Sequence, residues 1–407
     1  MTPDLQVDDL IADENVRIII CTGAGGVGKT TTAAAIAVRA AEHGRHTCVL
    51  TIDPARRLAQ AMGLTSLDNT PRQVLGVSSR DGSGSLHAMM LDMKRTFDEV
   101  VEAHADPERA EQILRNPFYQ ALSSSFAGTQ EYMAMEKLGQ LRARSDADGS
   151  WDLIVVDTPP SRSALDFLDA PARLGSFLDG RLIRVLTAPA RGAGRSLGRL
   201  AALGFGLFTS VLNKILGAQV LVDIGTFIAA IDTTFGGFRE RADATYELLK
   251  QPGTRFIVVA APEPDALREA SYFVDRLQQD DMPLAGLILN RLQSVDVPEL
   301  TPEQAVAGAD RLANPAPGQG ATSTAEESEI IDGLTAALLR LHADSARTAD
   351  RQLRLARRFT AAHPDVPQVS VPALATDVHD LDGLREIGDL LARERTAPAR
   401  PAPDRVS

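Results

Sequence analysis

The chain has 407 residues, enough to bury a large core as several units or as one large domain with an inserted lobe. Hydrophobic residues make up 44% and charged residues 24%, which argues against a disordered or fibrous class for the bulk of the chain. The formal net charge of -12 argues against a general nucleic-acid binder, because such proteins need excess Lys and Arg to displace phosphate counterions.

The two cysteines, Cys21 and Cys48, each lie inside an apolar run, which predicts two small buried core residues. Neither belongs to a CxxC pair, so no zinc site within one chain is expected. The acidic start MTPDLQVDDL lacks the basic and apolar regions of a secretory signal. We therefore expect a cytoplasmic protein, one that could also bind peripherally to the membrane.

The first structural unit is a strand, a glycine-rich loop, a helix and a second strand. Val16–Thr22 is a continuous apolar run, typical of a strand that is covered on both faces in a parallel sheet. Thr31–His43 is alanine-rich and predicts a helix that ends at Gly44. Thr47–Ile52 predicts the next strand, joined by a right-handed crossover.

Three further apolar runs predict buried strands: Trp151–Val156, Phe256–Ala260 and Leu284–Leu289. Asp157 follows the first and Asn290 follows the last, so both lie where ligands bind in open parallel sheets. The predicted fold class is α/β, a mostly parallel sheet with helices on both faces.

Two long helical stretches, at about 91–145 and 165–249, exceed simple crossovers and predict an inserted helical subdomain. The apolar segment 200–222 could be a membrane span, but its polar residues and glycines favour a buried or groove-lining helix. Residues 293–327 are rich in Pro, Gly, Ser and acids and predict a mobile surface loop, and 397–407 predict a disordered tail.

Further along the chain, His342–Phe359 predicts a charged amphipathic helix and Val369–Leu374 a last short strand. No internal repeat is found, so we expect a single domain with one nucleotide site.

A phosphate-binding motif lies between the first strand and its helix. It reads Gly23-Ala24-Gly25-Gly26-Val27-Gly28-Lys29-Thr30, followed by Thr31. Its glycines let backbone N–H groups surround phosphates, Lys29 neutralises phosphate charge, and the Thr30 hydroxyl is suited to bind Mg²⁺. The alternative is a glycine-rich turn that binds nothing.

Two acidic residues follow predicted strands and could hold a magnesium ion. Asp157 ends the run WDLIVVD and delivers a carboxylate to the edge of the sheet, although it could instead cap a following helix. Asp53 follows the second strand in TIDPARRLAQ, where a turn aspartate before proline is the alternative.

Several motifs together resemble the anion-transporting ATPase family, which includes arsenite-pump ATPases and targeting factors for tail-anchored membrane proteins. GAGGVGKTTTAAAIA is similar to the phosphate loop of that family, TIDPARRLAQAMGL to its first switch and DTPPSRSALDFLDAP to its second. AGTQEYMAMEKL, APEPDALREA, LILNRL and VPALATDVHDLDGL are similar to its other conserved segments. These motifs run from about residue 16 to 384, nearly the whole chain.

The resemblance implies residue roles and an assembly. Gly23–Thr31 would wrap the phosphates of ATP, Thr30 would bind Mg²⁺, Asp53 and Asp157 would hold its waters, and Asn290 would recognise adenine. Members of the family sandwich ATP at a dimer interface and hold a client in a groove between their helical lobes.

The sequence departs from the family pattern at three points. Ala24 replaces the signature lysine that reaches across the dimer, and Gln60 replaces the aspartate that orients the attacking water. The paired cysteines that hold zinc across the targeting-factor dimer are missing, as is a cysteine cluster for arsenite. Glutamine can still orient water, as in small GTPases.

These departures leave the partner open. One hypothesis is a heterodimer with a paralogous ATPase subunit that supplies the lysine; the other is a homodimer in which Arg56 or Arg57 supplies the charge. The client is unidentified, and an apolar protein segment or a membrane-associated molecule would suit an apolar groove.

The expected function is Mg²⁺-dependent ATP hydrolysis coupled to a conformational change of the dimer. Lys29 and Mg²⁺ would stabilise charge on the phosphates, while Gln60 or Asp53 would position the water. One alternative is an ATP-binding regulatory subunit of a heterodimer with little hydrolysis of its own. A small-molecule kinase is a further alternative, but no acceptor pocket is evident.

Overall fold

The computed structural model describes residues 3–52, 57–79, 81–117, 119–120, 123, 129–159, 238–314 and 325–392. The predictions for Asp53, Arg56, the segment 200–222 and the tail 397–407 lie outside these residues. The same holds for most of the second helical stretch, 165–249.

Within the described residues, eight strands form one sheet. In chain order they are β1 (Ile18–Thr22), β2 (His46–Thr51), β3 (Arg72–Gln73), β4 (Ser85–Met90), β5 (Leu153–Asp157), β6 (Thr254–Ala260), β7 (Leu284–Leu292) and β8 (Gln368–Pro372).

The helices of the described residues lie between and after these strands. They are α1 (Val7–Ala12), α2 (Lys29–Glu42), α3 (Arg57–Ala61), α4 (Met93–His104), α5 (Pro107–Arg115), α6 (Thr129–Asp148), α7 (Phe238–Lys250), α8 (Pro264–Gln279), α9 (Pro302–Ala313), α10 (Ala325–Ala362) and α11 (Leu381–Ala392).

The sheet has the strand order β3-β4-β2-β5-β1-β6-β7-β8. Every neighbouring pair is parallel except β3 and β4, so the carboxyl ends of the other strands meet at one edge. This confirms the predicted fold class. Sequence analysis did not predict β3 or β4.

Helices cover both faces of the sheet because successive side chains of each strand point to opposite sides. Ile18 and Ile20 of β1 belong to a core that includes residues of α4, α6 and α8. Ile19 and Cys21 belong to a second core built on α2 and α11. A fully buried run such as β1 therefore serves both cores, which explains its lack of alternation.

The pairing register places the site residues side by side. Asp157 at the end of β5 pairs with Cys21 of β1 on one side and with Thr51 of β2 on the other. The loop that follows β1 thus begins next to the Asp157 carboxylate.

The prediction of a loop over residues 293–327 is wrong for its central part. Pro302–Ala313 forms α9, which begins with a capping box: Thr301 Oγ1 accepts from the Gln304 backbone N–H, and Gln304 Oε1 accepts from that of Thr301. The Pro and Gly content of the segment suggested a loop, but the Thr301–Gln304 pair is a helix start signal. The long helix α10 also begins at Ala325, well before the predicted His342.

None of the helices in the described ranges combines the length and apolar character that crossing a bilayer requires.

Arg45 ties several elements together at the opposite edge of the sheet. Its side chain is buried and donates to Ile11 O at 2.7 Å, to Val16 O at 2.9 Å and to Asp152 Oδ1 at 2.5 Å. It therefore joins α1 to the starts of β1 and β5, far along the strands from the carboxyl-end edge.

We expect Arg45→Ala to lower the free energy of unfolding by about 2–3 kcal/mol, because buried carbonyl groups lose their donor. Urea denaturation measures this change. The control is Arg72→Ala, which removes a half-exposed ion pair with Asp68 and should lower the free energy of unfolding much less. Equal losses in the two variants would show that the Arg45 contacts contribute no more than a surface pair.

Candidate functional site

The glycine-rich loop lies between the end of β1 and the start of α2, at the carboxyl-end edge of the sheet. At two of its glycines a side chain would clash with a neighbouring strand, with a backbone atom in one case and with a side-chain atom in the other. A Cβ on Gly23 would lie 2.0 Å from Val259 O, and one on Gly28, where φ is +96°, would lie 2.2 Å from Asn290 Nδ2. The loop is thus packed against β6 and β7, and α2 begins immediately after Gly28.

The side chain of Lys29 folds back onto the glycine-rich loop. Its side chain is buried, and Nζ donates a hydrogen bond of 2.7 Å to Ala24 O. A buried ammonium needs hydrogen-bond acceptors, and an anion held by the loop would offer it further ones.

Asp157 is the centre of a buried polar cluster. Its Oδ2 accepts from Thr30 Oγ1 at 2.7 Å and from Thr51 Oγ1 at 2.8 Å, and the residue is fully buried. The carboxylate thus accepts hydrogen bonds from hydroxyl groups at the start of α2 and at the end of β2. Thr30 and Asp157, which the sequence singled out separately as candidates for magnesium binding, are thus in contact, and Thr51 was not singled out.

Asn290 and Arg291 hold the loop from the end of β7. Asn290 is buried and its Nδ2 donates to Val27 O at 2.8 Å; Arg291 Nη1 donates to Gly26 O at 3.0 Å. Arg291 has a φ of +60°, uncommon for a residue with a side chain. Arg291 was not among the residues predicted from the sequence, although its position directly after Asn290 was the available signal.

A cavity of about 600 Å³ opens beside the loop. Small-molecule sites in proteins have volumes of roughly 300–1,000 Å³. Its walls come from the loop and α2, from α3, from the end of β7, from the end of β8 and the segment after it, and from α11. The lining residues are Gly26, Gly28, Thr30, Thr31, Ala34, Leu58, Gln60, Ala61, Asn290, Arg291, Pro372, Ala373, Leu374, Thr376, Asp377, Val378, His379 and Ile387.

Six of the thirteen predicted site residues line this cavity: Gly26, Gly28, Thr30, Thr31, Gln60 and Asn290. Gln60, on α3, is exposed and shares the cavity with Thr30 and Asn290. Ala24 is buried and contributes its carbonyl to Lys29 rather than a side chain to the surface. The segment from Leu374 to His379, part of the motif VPALATDVHDLDGL, also lines the cavity, although no residue in it was assigned a role from sequence.

The prediction that both cysteines are buried core residues is confirmed. Burial raises the pKa of the Cys48 thiol to about 12. Burial, together with the nearby Asp157 carboxylate, also raises the pKa of Cys21. Both thiols therefore stay protonated and unreactive at neutral pH.

Comparison with known proteins agrees with this geometry. The sequence model of the family described as "Anion-transporting ATPase" matches residues 16–303, which include the loop, Asp157 and Asn290. The chain belongs to the anion-transporting ATPase family. Like the other proteins of that family, it is an ATPase that binds nucleotide.

Two fungal proteins are similar to this chain over most of their length. The ATPase GET3 of Podospora anserina is 26% identical over 297 residues, 72% of this chain and 77% of the relative. The ATPase get3 of Aspergillus terreus is 26% identical over 299 residues, with the same shares of the two chains.

We expect Gly28→Ala to weaken ATP binding at least about a hundredfold, because the added methyl group displaces Asn290 and opens the loop. Isothermal titration calorimetry measures the affinity. Gly63→Ala is the matched control: its φ is also positive, at +67°, but a Cβ there meets nothing within 4 Å. Equal affinities of the two variants would contradict the role of this contact.

Proposed function

We propose that this ATPase binds Mg·ATP in the loop Gly23–Thr31 and couples hydrolysis to a conformational change of a dimer. The single observation that supports this most strongly is the Thr30 hydroxyl on the buried Asp157 carboxylate at 2.7 Å, beside a loop that also holds Lys29. A phosphate-binding loop with a hydroxyl and a strand-end carboxylate at its base is what a Mg²⁺-nucleotide requires.

The triphosphate would be held by charge and by backbone donors. The N-terminus of α2, a helix of 14 residues, follows the loop directly and favours an anion at that position. Lys29 Nζ would exchange its bond to Ala24 O for bonds to phosphate oxygens, which are stronger because both partners are charged.

The residues at the base of the loop fit a magnesium ion. Mg²⁺ prefers oxygen ligands and uses one or two carboxylates together with waters and phosphates. Thr30 and Asp157 offer such oxygens, and the described residues contain no cluster of three or more His, Cys, Asp or Glu that would form an all-protein metal cage. When bound, the ion neutralises charge that develops on the phosphates.

The base would occupy the cavity beside the loop. Asn290, the proposed adenine-recognition residue, lines this cavity, and its Nδ2 donates a hydrogen bond to Val27 O. Asn290 therefore couples the base site to the phosphate loop, whatever bonds its amide makes to the base.

Among the residues that the structure describes, Gln60 is the candidate for positioning the attacking water. It is exposed, lines the same cavity as Thr30, and lies on α3, within the segment that is similar to the family's first switch. Asp53 is the other proposed residue for this role and for holding the waters of Mg²⁺. Glutamine orients water through its amide without taking up the proton.

The partner and client belong to this proposal as well. The dimer would be a homodimer or a heterodimer with a paralogous subunit that supplies the lysine missing at Ala24. An apolar protein segment or a membrane-associated molecule in the cytoplasm would be the client, and the net charge of -12 disfavours nucleic acid.

A second function is favoured by Ala24 and Gln60 together: an ATP-binding regulatory subunit of a heterodimer with little hydrolysis of its own. Both replacements remove groups that the family uses to accelerate hydrolysis, while the binding loop itself is intact.

We expect Lys29→Met to lower phosphate release at least about a hundredfold, because the variant keeps the aliphatic stem and loses the charge on the phosphates. Removing Mg²⁺ with EDTA should abolish turnover of the unmodified protein. Lys137→Met is the control: it removes another buried lysine, bonded to Glu99 at 2.9 Å and outside the cavity lining. Unchanged phosphate release by Lys29→Met would refute this site.

We expect Gln60→Ala to lower kcat about tenfold or more at unchanged ATP affinity, and Gln60→Asp to preserve or raise it, since a carboxylate also accepts a proton. Gln73→Ala, at an exposed position of β3, is the control. If the chain is a regulatory subunit, basal turnover is already at background and Gln60→Ala changes nothing. Turnover should be measured with and without co-expressed partners.

A further inference from the structure

The long helix α10 presents large apolar side chains to solvent. Ile331, Leu334, Leu338 and Leu341 are 61%, 61%, 65% and 64% exposed, and we call these four the apolar stripe. Ile330 beside them is 63% exposed. Single exposed leucines are common, but a contiguous row of this kind on a monomer marks a contact surface.

The same helix packs inward through small residues. Ala336, Ala343 and Ala346 are buried, and α9 packs along α10, where a Cβ on Gly308 would lie 3.2 Å from Leu339 Cδ1. One side of α10 is therefore closed by α9, and the larger apolar residues lie on another side. Packing within the described fold does not account for the stripe.

The spacing of the stripe is that of a coiled-coil seam. Its positions are separated by three, four and three residues, the a and d pattern of a heptad. A seam of this kind fits another helix. The family match ends at residue 303, so the family relationship does not explain the stripe either.

The stripe is symmetric about residue 336. Ile331 and Leu341 lie five residues to either side, and Leu334 and Leu338 lie two residues to either side. An antiparallel second copy would therefore place Leu334 against Leu338 of the partner subunit, and Ile331 against Leu341 of the partner subunit. Such self-complementarity is what a two-fold interface requires.

The centre of the stripe carries no charge that would oppose a second copy at this surface. The chain carries a net charge of -12, so most approaches between two copies are repulsive at long range. Within Leu334–Leu338, the intervening residues are Thr335, Ala336 and Ala337, none of them charged. Complete burial of the exposed apolar side chains of two copies would remove on the order of 1,000 Å² of surface from water, about the minimum for a specific interface.

We propose that two copies of this chain associate through the apolar stripe of α10, in antiparallel orientation and without nucleotide. The interface is separate from the nucleotide cavity, because none of its residues lines that cavity. The proposal thus stands or fails independently of the proposed ATP site.

A charge-exchange experiment tests both the surface and its orientation. The full-length protein is studied by sedimentation velocity without nucleotide, as wild type, as Leu334→Lys and as Leu338→Glu. Each variant alone should dissociate at least about a hundredfold more readily, because each dimer would bury two unpaired charges. An equimolar mixture of the two should restore the dimer, since the introduced lysine then faces the introduced glutamate while the other contact stays Leu with Leu.

Leu75→Glu is the matched control, because Leu75 is 78% exposed and far from the stripe in sequence; it should leave the dimer intact. ATP affinity by calorimetry should be the same in all variants. A monomeric wild type, or a dimer that both stripe variants retain, overturns the proposal. Dissociation of the single variants that the mixture fails to reverse also overturns it. A stripe variant with a lowered melting temperature but the same mass as the wild type overturns it too, because that result would indicate that another segment of the same chain covers the stripe.

Discussion

The site is organised around one buried carboxylate. Asp157 ends a central strand in the low-dielectric interior, where an isolated charge is unfavourable unless it is well bonded. The carboxylate accepts hydrogen bonds from the hydroxyl group of Thr51, on the neighbouring strand β2, at 2.8 Å and from that of Thr30, at the start of α2, at 2.7 Å. The parallel register brings the first of these close, and the turn of the glycine-rich loop brings the second. The start of α2 is therefore held at a defined place relative to the sheet, and the loop that precedes α2 is defined with it.

The rest of the loop is held from the neighbouring strands. Val259 of β6 leaves no room for a side chain at Gly23, and Asn290 of β7 leaves none at Gly28. Asn290 and Arg291 then bond two loop carbonyls. Backbone donors bind an anion well only if they already point inward, since ordering them at binding would cost conformational entropy. A loop held at several points meets that condition, which agrees with membership in a family of ATPases.

Two kinds of contact between subunits are proposed, and they rest on different physics. The contact across the nucleotide would depend on ATP and on groups that Ala24 and Gln60 do not supply, so it concerns catalysis and the identity of the partner. The contact through α10 would depend on burial of apolar surface and on the symmetry of the stripe, so it requires an identical copy. A stable pair joined through α10 would keep the copies together through a nucleotide cycle and leave the cavity accessible.

The sequence alone determined the fold class, six of the eight strands, the loop and the position of Asp157, because continuous apolar runs and glycine spacing are local signals. It did not reveal β3, β4 or α9, whose weaker patterns were outweighed by turn-forming residues nearby. Only the tertiary structure joined Thr51 to Asp157 and Asn290 to the loop, because residues 106 and 263 positions apart meet through strand order, which no local pattern encodes. It also decided which side of α10 is covered: Ala336, Ala343 and Ala346 are buried, and the apolar stripe remains exposed.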